Sequence, residues 1–300
     1  MSARRAWTGR GLRRERWHGY FFLAIPLLYL AGVVLLPLLE AVRSSTFRIR
    51  GLRATFVGLD NYARVLGDAA FWNALSVSFR FTAISVVLHL ALGLGLAMLV
   101  AECGRTRTAL RIALLTPWMV APAIAATIWL WLLEPQFGVL NWLLRAARLI
   151  AENRSWLGEP GLAFGAIVAV DVWRGVPFMM LLLGAGLATI PKEQYEAAAI
   201  DGAGALARFR HVTLPNLSYL LAVACTLDII NTVRQFDIVA VLTGGGPAGA
   251  TEVLPALLYN TAFRGNDLGG GAAVGVLLLM IVLAFVSLYI ALTGAARSDD

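Results

Sequence analysis

Long apolar stretches alternate with short polar ones along the whole chain. A bilayer core about 30 Å thick is crossed by about 20 apolar residues in helix. Six stretches reach that length, at approximately 20–42, 74–101, 111–133, 162–187, 217–242 and 272–294. They are too long for strands and lack a strand's alternation, so the pattern predicts six helices. Pro26, Pro37, Gly93, Gly95, Pro117, Pro122 and Pro177 fall inside them. In a membrane such residues permit close helix approach or a kink, because neighbouring groups satisfy the freed backbone. Between spans, Leu140–Leu144 with its central Trp142 reads as a short helix at the membrane surface. Thr243-Gly244-Gly245-Gly246-Pro247 reads as a hard stop after the fifth span.

The first stretch is longer than the apolar core of a secretory signal, and no small-x-small cleavage site follows it. It reads as a retained anchor. Basic residues in short loops then set the orientation. Arg4, Arg5, Arg10, Arg13, Arg14 and Arg16 precede the first span and place residues 1–19 in the cytoplasm. Arg105 and Arg107, and later Lys192, Arg208 and Arg210, fall on the same side. The 43–73 loop dissents, with Arg43, Arg48, Arg50, Arg53 and Arg64, partly offset by Asp60 and Asp68. The sum favours both termini inside, with a short tail at 295–300. The expected location is the bacterial cytoplasmic membrane.

Composition agrees. The chain is 59% hydrophobic and only 14% charged, with a mean hydropathy of +0.74. Such a chain cannot cover itself with a water-compatible surface. Its net charge of +7 flanks apolar spans and forms no aromatic-interleaved patch. Membrane lipid is therefore the expected partner, and nucleic acid is not. Cys103 and Cys225 form no disulfide framework, and His18, His89 and His211 are too scattered for a metal site.

One polar island interrupts this pattern, at Glu193–Pro215. Pro191 suits a first helical turn, and Glu193 and Glu196 suit the positive end of the helix dipole. Ala197, Ala198 and Ala199 give that helix a thin side that a partner surface can approach. Gly202 and Gly204 allow a sharp turn. A second short helix at about 205–211 carries Arg208 and Arg210, and Val212, Leu214 and Pro215 lead back to the membrane.

The order Glu196-Ala197-Ala198, Gly202, Val212, Leu214, Pro215, set between two spans on the inner side, resembles the EAA loop of permease subunits of binding-protein-dependent ABC importers. Val212 stands where that pattern usually has Ile. Gly58-Leu59-Asp60-Asn61-Tyr62, then Trp173, Pro177 and Phe178, then Phe236-Asp237, Leu242–Pro247 and Thr251 are similar to the sugar-type branch of the family. Maltose-, trehalose- and glycerol-3-phosphate-type permeases are the best match. The resemblance implies an all-α fold of six transmembrane helices over 20–294, with the coupling loop at 188–216. It implies that Glu196, Ala197, Ala198, Gly202, Leu214 and Pro215 couple the spans to an ATPase. It implies three kinds of protein partner besides lipid: a second homologous permease, two ABC ATPase subunits and an extracytoplasmic solute-binding protein. ATP and Mg would sit on the ATPase, with no cofactor bound by this chain.

Polar side chains inside spans are costly in lipid and so are candidates for function. Arg80 sits where it can snorkel, and His89 stands alone in its span. Asp171 and Arg174, three residues apart, can neutralise each other. Asp228, Asn231 and Arg234 or Gln235 recur at helical spacing. Sugars need hydrogen-bonding side chains and an aromatic wall, so Asn231, Gln235, Phe236 and Asp237 are the candidate pathway residues. An inter-helix network is the competing use of the same face.

No phosphate-binding loop and no nucleophile–base constellation is present, so the chain reads as a transport subunit with no catalytic residues. A secondary transporter would carry an ion site and an internal inverted repeat, and neither is visible. A membrane-embedded transferase has only Asp171 and Asp228 to offer as catalytic groups.

Overall fold

The computed structural model describes residues 22–50, 53–104 and 106–295. The basic segment 1–19 and most of the 295–300 tail lie outside the described residues. Among the described residues five helices are long and apolar enough to cross a membrane, and two further helices bent against each other make six spans if the pair is counted as one.

Span 1 is Phe22–Ser45 and span 2 is Ala69–Glu102. Asp68 starts span 2, its carboxylate accepting from the Ala70 N–H at 2.9 Å. Span 4 is Pro160–Leu187 and packs along span 2. Gly93 permits that approach: a Cβ there would lie 2.5 Å from the Cβ of Met179. Span 6 is Leu268–Ala295.

The expected third span is not one helix. Arg107–Met119 and Pro122–Leu132 meet at 93°. Val120 and Ala121 are extended, with ψ of 131° and 141°. The pyrrolidine of Pro122 disfavours helix at Ala121 and starts the new helix with its fixed φ. Span 5 is also interrupted. Leu214–Val233 ends, Arg234–Phe236 breaks the helix, and Asp237–Leu242 resumes it. The two resumed helices, 122–132 and 237–242, pack on each other.

Pro37 and Pro215 act differently. Each follows a leucine, and each is preceded by a widened π turn, Ala31–Leu35 and Phe209–Thr213. The Leu36 N–H bonds to the Ala31 carbonyl, and the Leu214 N–H to that of Phe209. Proline cannot donate and its ring collides with the carbonyl four residues back; one wide turn relieves both without ending the helix.

The 47–56 segment, read above only as loop, is a two-stranded antiparallel hairpin. Strand β1 (Phe47–Arg50) pairs with β2 (Arg53–Phe56), Phe47 opposite Phe56. A short helix, Asp60–Gly67, follows and packs on the start of span 6. Asn61 fixes the corner by donating to the carbonyls of Ser45 and Phe47 at 2.8 and 2.9 Å. Three of the five arginines of this loop meet acids. Arg43 pairs with Glu40, Arg48 with Asp60 and Arg64 with Asp267, at 3.1, 3.2 and 2.7 Å. Helix Val139–Ala146 leaves Trp142 67% exposed.

Of the four apolar clusters among the described residues, two are the largest. One, toward the hairpin end, joins Phe81, Ile167, Val170, Ile238 and Val239. The other, toward the 192–213 loop, joins Leu94, Met179, Leu183 and Leu217. Most of span 1 is exposed, with Phe22 and Leu28 at 74% and 71%. A surface this apolar is suited to lipid or to another apolar chain, not to water.

Candidate functional site: a polar cavity and a braced loop

Between the two apolar clusters lies a polar cavity of about 430 Å³. Both helix breaks open onto it, through Trp118 of span 3 and through Arg234 and Gln235 of span 5. Trp118 stacks on Phe178 of span 4, with ring centroids 5.5 Å apart and planes 19° off parallel. Asn231, Thr232 and Arg174 complete the wall. Polar groups of both charge signs face a flat aromatic surface, the combination that a polyhydroxylated ring requires.

Four buried polar side chains form one network at this cavity. His89 Nδ1 lies 2.8 Å from Asp228 Oδ2. His89 Nε2 lies 3.2 Å from the Asp171 carbonyl oxygen and 3.7 Å from Asp171 Oδ2. Gln235 Nε2 donates to Asp171 Oδ1 at 3.0 Å. His89 is therefore not alone in the bundle, as its span suggested. Asp171 and Arg174 do not neutralise each other; Asp171 turns to Gln235 and His89, and Arg174 forms no ion pair among the described residues. Arg80 lies over the Phe164 ring, 5.6 Å from its centroid, so an aromatic face meets its charge.

Of the pathway candidates, Asn231 and Gln235 line the cavity. Phe236 packs on Tyr259, centroids 5.1 Å apart, and Asp237 opens the next short helix. Neither is among the lining residues. The aromatic wall comes instead from Trp118 and Phe178. The stacking pair was hidden in the sequence because Trp118 and Phe178 lie on different spans, and it forms where helix Arg107–Met119 packs on span 4.

The Glu193–Pro215 island folds as two helices, Lys192–Ile200 and Ala205–Arg208, the second running through the π turn into span 5. The turn between them has a definite cause. Gly202 sits at φ +82°. Its N–H bonds to the Ala199 carbonyl at 3.1 Å, and the Ala203 N–H to that of Ala198 at 2.9 Å. This paired closure needs a left-handed residue at the position of Gly202. The spacing from Glu196-Ala197-Ala198 to Gly202 is thus that of a helix and its glycine stop.

The loop is braced against the start of span 5. Tyr195 Oη and Thr213 Oγ1 are 3.0 Å apart, and Asn216 Nδ2 donates to Gln194 Oε1 at 2.8 Å. Ala198 faces inward, whereas Glu196 and Ala197 face out. Beside the turn, Ile200 and Leu206 are 86% and 79% exposed. Leu214 and Pro215 form the re-entry, just past the wide turn.

A helical bundle with one broken span, one interrupted span and a polar cavity at both interruptions is a polytopic membrane protein of the transport class. Residues 90–296 match the profile of the family described as "binding-protein-dependent transport system inner membrane component", and the chain belongs to that family. It is 41% identical to the trehalose/maltose transport system permease protein MalF of Thermococcus litoralis, over 95% of this chain and 96% of that one. It is 33% identical to the sulfoquinovosyl glycerol transport system permease protein SmoG of Agrobacterium fabrum, over 92% and 90%. It is 36% identical to the diacetylchitobiose uptake system permease protein DasB of Streptomyces coelicolor, over 82% and 75%. The fold is shared with a chain of a bacterial ABC transporter that imports the acidic polysaccharide alginate, at TM-score 0.84 and 18% identity, covering 96% of this chain and 98% of that one.

Proposed function

We propose that this permease serves an ATP-driven importer of a sugar or related polar solute in the cytoplasmic membrane, with both termini inside. An extracytoplasmic binding protein delivers the solute. A second, similar permease completes the pathway, and two ATPase subunits bind ATP and Mg. The observation that carries the reading is the cavity at the helix breaks, walled by Trp118 and Phe178 and edged by Asn231 and Gln235. The relatives named above, each a permease of a sugar or glycoside system, support the solute class. The assembled complex in proteoliposomes is expected to take up labelled trehalose or maltose with ATP and its binding protein, and not without them. Uptake driven by an ion gradient in the absence of ATPase would make it a secondary transporter instead.

Asn231→Ala and Trp118→Ala are each expected to raise the uptake KM about tenfold, the loss of one hydrogen bond or one stacking surface. Assembly and basal ATP hydrolysis stay intact. Mutants that fail to assemble would mark this wall as helix packing.

The 192–213 loop is the docking element for the ATPase in this reading. Ile200 and Leu206 are apolar side chains presented to water on a short polar loop, which suits a partner groove. Glu196 faces out and would meet a basic surface there. Single cysteines at Ala197 and Ala205, both exposed, are expected to react only with reagents admitted to the inner side, and more slowly with the ATPase bound. Labelling from outside intact cells would reverse the topology.

A further inference from the structure

The wall of the cavity is shaped by a backbone that is not helical. Between Val233 and Asp237 the fifth span has lost its ladder, so something else must fix the direction in which Arg234 and Gln235 point. Among the described residues, one side-chain hydrogen bond ties the break to another span: the Gln235 amide donates to Asp171. Asp171 is in turn held by His89.

We propose that His89 is a positioning residue: through Asp228 and Asp171 it holds the interrupted fifth span in the register that shapes the cavity. Its consequence for transport rests on that cavity being the solute pathway; the clasp itself rests on geometry. The ring comes from span 2. Nδ1 reaches the Asp228 carboxylate of span 5 at 2.8 Å, and Nε2 reaches the Asp171 carbonyl of span 4 at 3.2 Å. One rigid ring thus spans three helices. It is 2% exposed, and Asp171, Asp228 and Gln235 are 5%, 7% and 9% exposed. At such low exposure the His89–Asp228 and Gln235–Asp171 bonds are costly to lose, because a buried polar group left unpaired costs more than the bond returns.

Span 4 is shaped around this ring. Gly175, one turn beyond Asp171, has no Cβ where one would collide with His89 Nε2. The charged neighbours do not compete for the ring. Arg174 and Arg234 line the same cavity, and neither forms an ion pair with Asp171 or Asp228. Arg234 bonds instead to the Ile230 carbonyl and to Asn231 Oδ1, both at 3.2 Å. Removing the ring leaves the Asp228 carboxylate buried without it, so span 5 must shift or admit water just before its break.

The two ring nitrogens can be removed one at a time. An asparagine amide takes roughly the place of Nδ1, and a glutamine amide that of Nε2. His89→Asn therefore keeps the reach to Asp228, His89→Gln keeps the reach to Asp171, and His89→Leu keeps neither. Gly175→Ala pushes the ring aside and removes no polar group.

The test is amide hydrogen exchange on the assembled complex. In His89→Leu, amides 234–242 are expected to exchange about 10- to 100-fold faster, the effect of losing a buried charge-assisted bond. Spans 2 and 4 keep their protection. His89→Asn and His89→Gln fall between wild type and leucine, and Gly175→Ala follows the leucine variant. Unchanged exchange in 234–242 would overturn the proposal. So would equal acceleration across 69–102, 160–187 and 214–242, which would make His89 a packing residue. Failure of all four variants to assemble would also overturn it, by making the residue a folding node. The exchange readout needs no solute, so a wild-type complex that assembles but imports no sugar would count against the transport reading alone.

Discussion

A complex carrying Gly202→Val is expected to hydrolyse ATP and yet lose uptake by about tenfold or more. Gly202 closes the first loop helix at φ +82°, a region that costs a β-branched residue about 1–3 kcal/mol. The valine chain can relieve that strain only by moving Asp201–Gly204, which changes how Ile200 and Leu206 are presented. The spans themselves make no contact that the substitution removes: a Cβ at Gly202 meets nothing within 4 Å. Two controls separate conformation from volume. Gly204 has an ordinary φ of −67° and equally open surroundings, so Gly204→Ala should transport at nearly the wild-type rate. Gly202→Asn should retain much of its activity, because asparagine tolerates the left-handed region. Proteoliposome uptake measured beside ATP hydrolysis decides. Full uptake by Gly202→Val would remove the turn from the coupling path.

The second large effect is expected at the other end of the bundle. Gly269 begins span 6 directly against the hairpin, and a Cβ there would run into the Phe47 carbonyl oxygen. That obstacle is backbone, held in place by Asn61 and by the pairing of Phe47 with Phe56. It cannot rotate away as a side chain could. Overpacking of this kind costs about 1–3 kcal/mol, and more where both walls are backbone. Gly269→Ala should lower the melting temperature of the purified complex by about 3–10 °C. Gly95→Ala, with nothing within 4 Å of its added Cβ, should melt with the wild type. Equal melting of the two variants would mean that the hairpin rides freely on span 6.

The six spans were legible because lipid allows few solutions: an apolar stretch of that length is a helix or nothing. The loop was legible for a local reason. The distance from Ala198 to Gly202 is set by one turn of helix and its closure, which involve no distant residue. What escaped was whatever depends on two spans meeting. His89 looked solitary because its partners lie 82 and 139 positions further along the chain. Asp171 and Arg174 looked like a pair because sequence shows neighbours on one helix and not across helices. The hairpin was missed because its strands are four residues each, rich in arginine, with all of β2 exposed. The break at Val120–Ala121 is the instructive error. Pro117 and Pro122 are both visible in the sequence, where each permits a kink or a close helix approach. Pro117 does stay inside its helix, while Pro122 starts a new one. Composition alone does not separate the two outcomes; the extended residue before the ring does.

Because the turn at Phe209–Thr213 widens the helix and does not end it, the second loop helix and the fifth span form one shaft. From Ala205 to Arg234 that shaft is about 44 Å long at 1.5 Å per residue. A tilt of about 5° imposed at its loop end displaces the far end by about 4 Å, the length of a sugar hydroxyl's hydrogen bond and more. The far end is where Arg234 and Gln235 stand. Proline at 215 would have cut such a shaft in two; the single wide turn ahead of it keeps leverage over the whole length and leaves one point where the rod can twist.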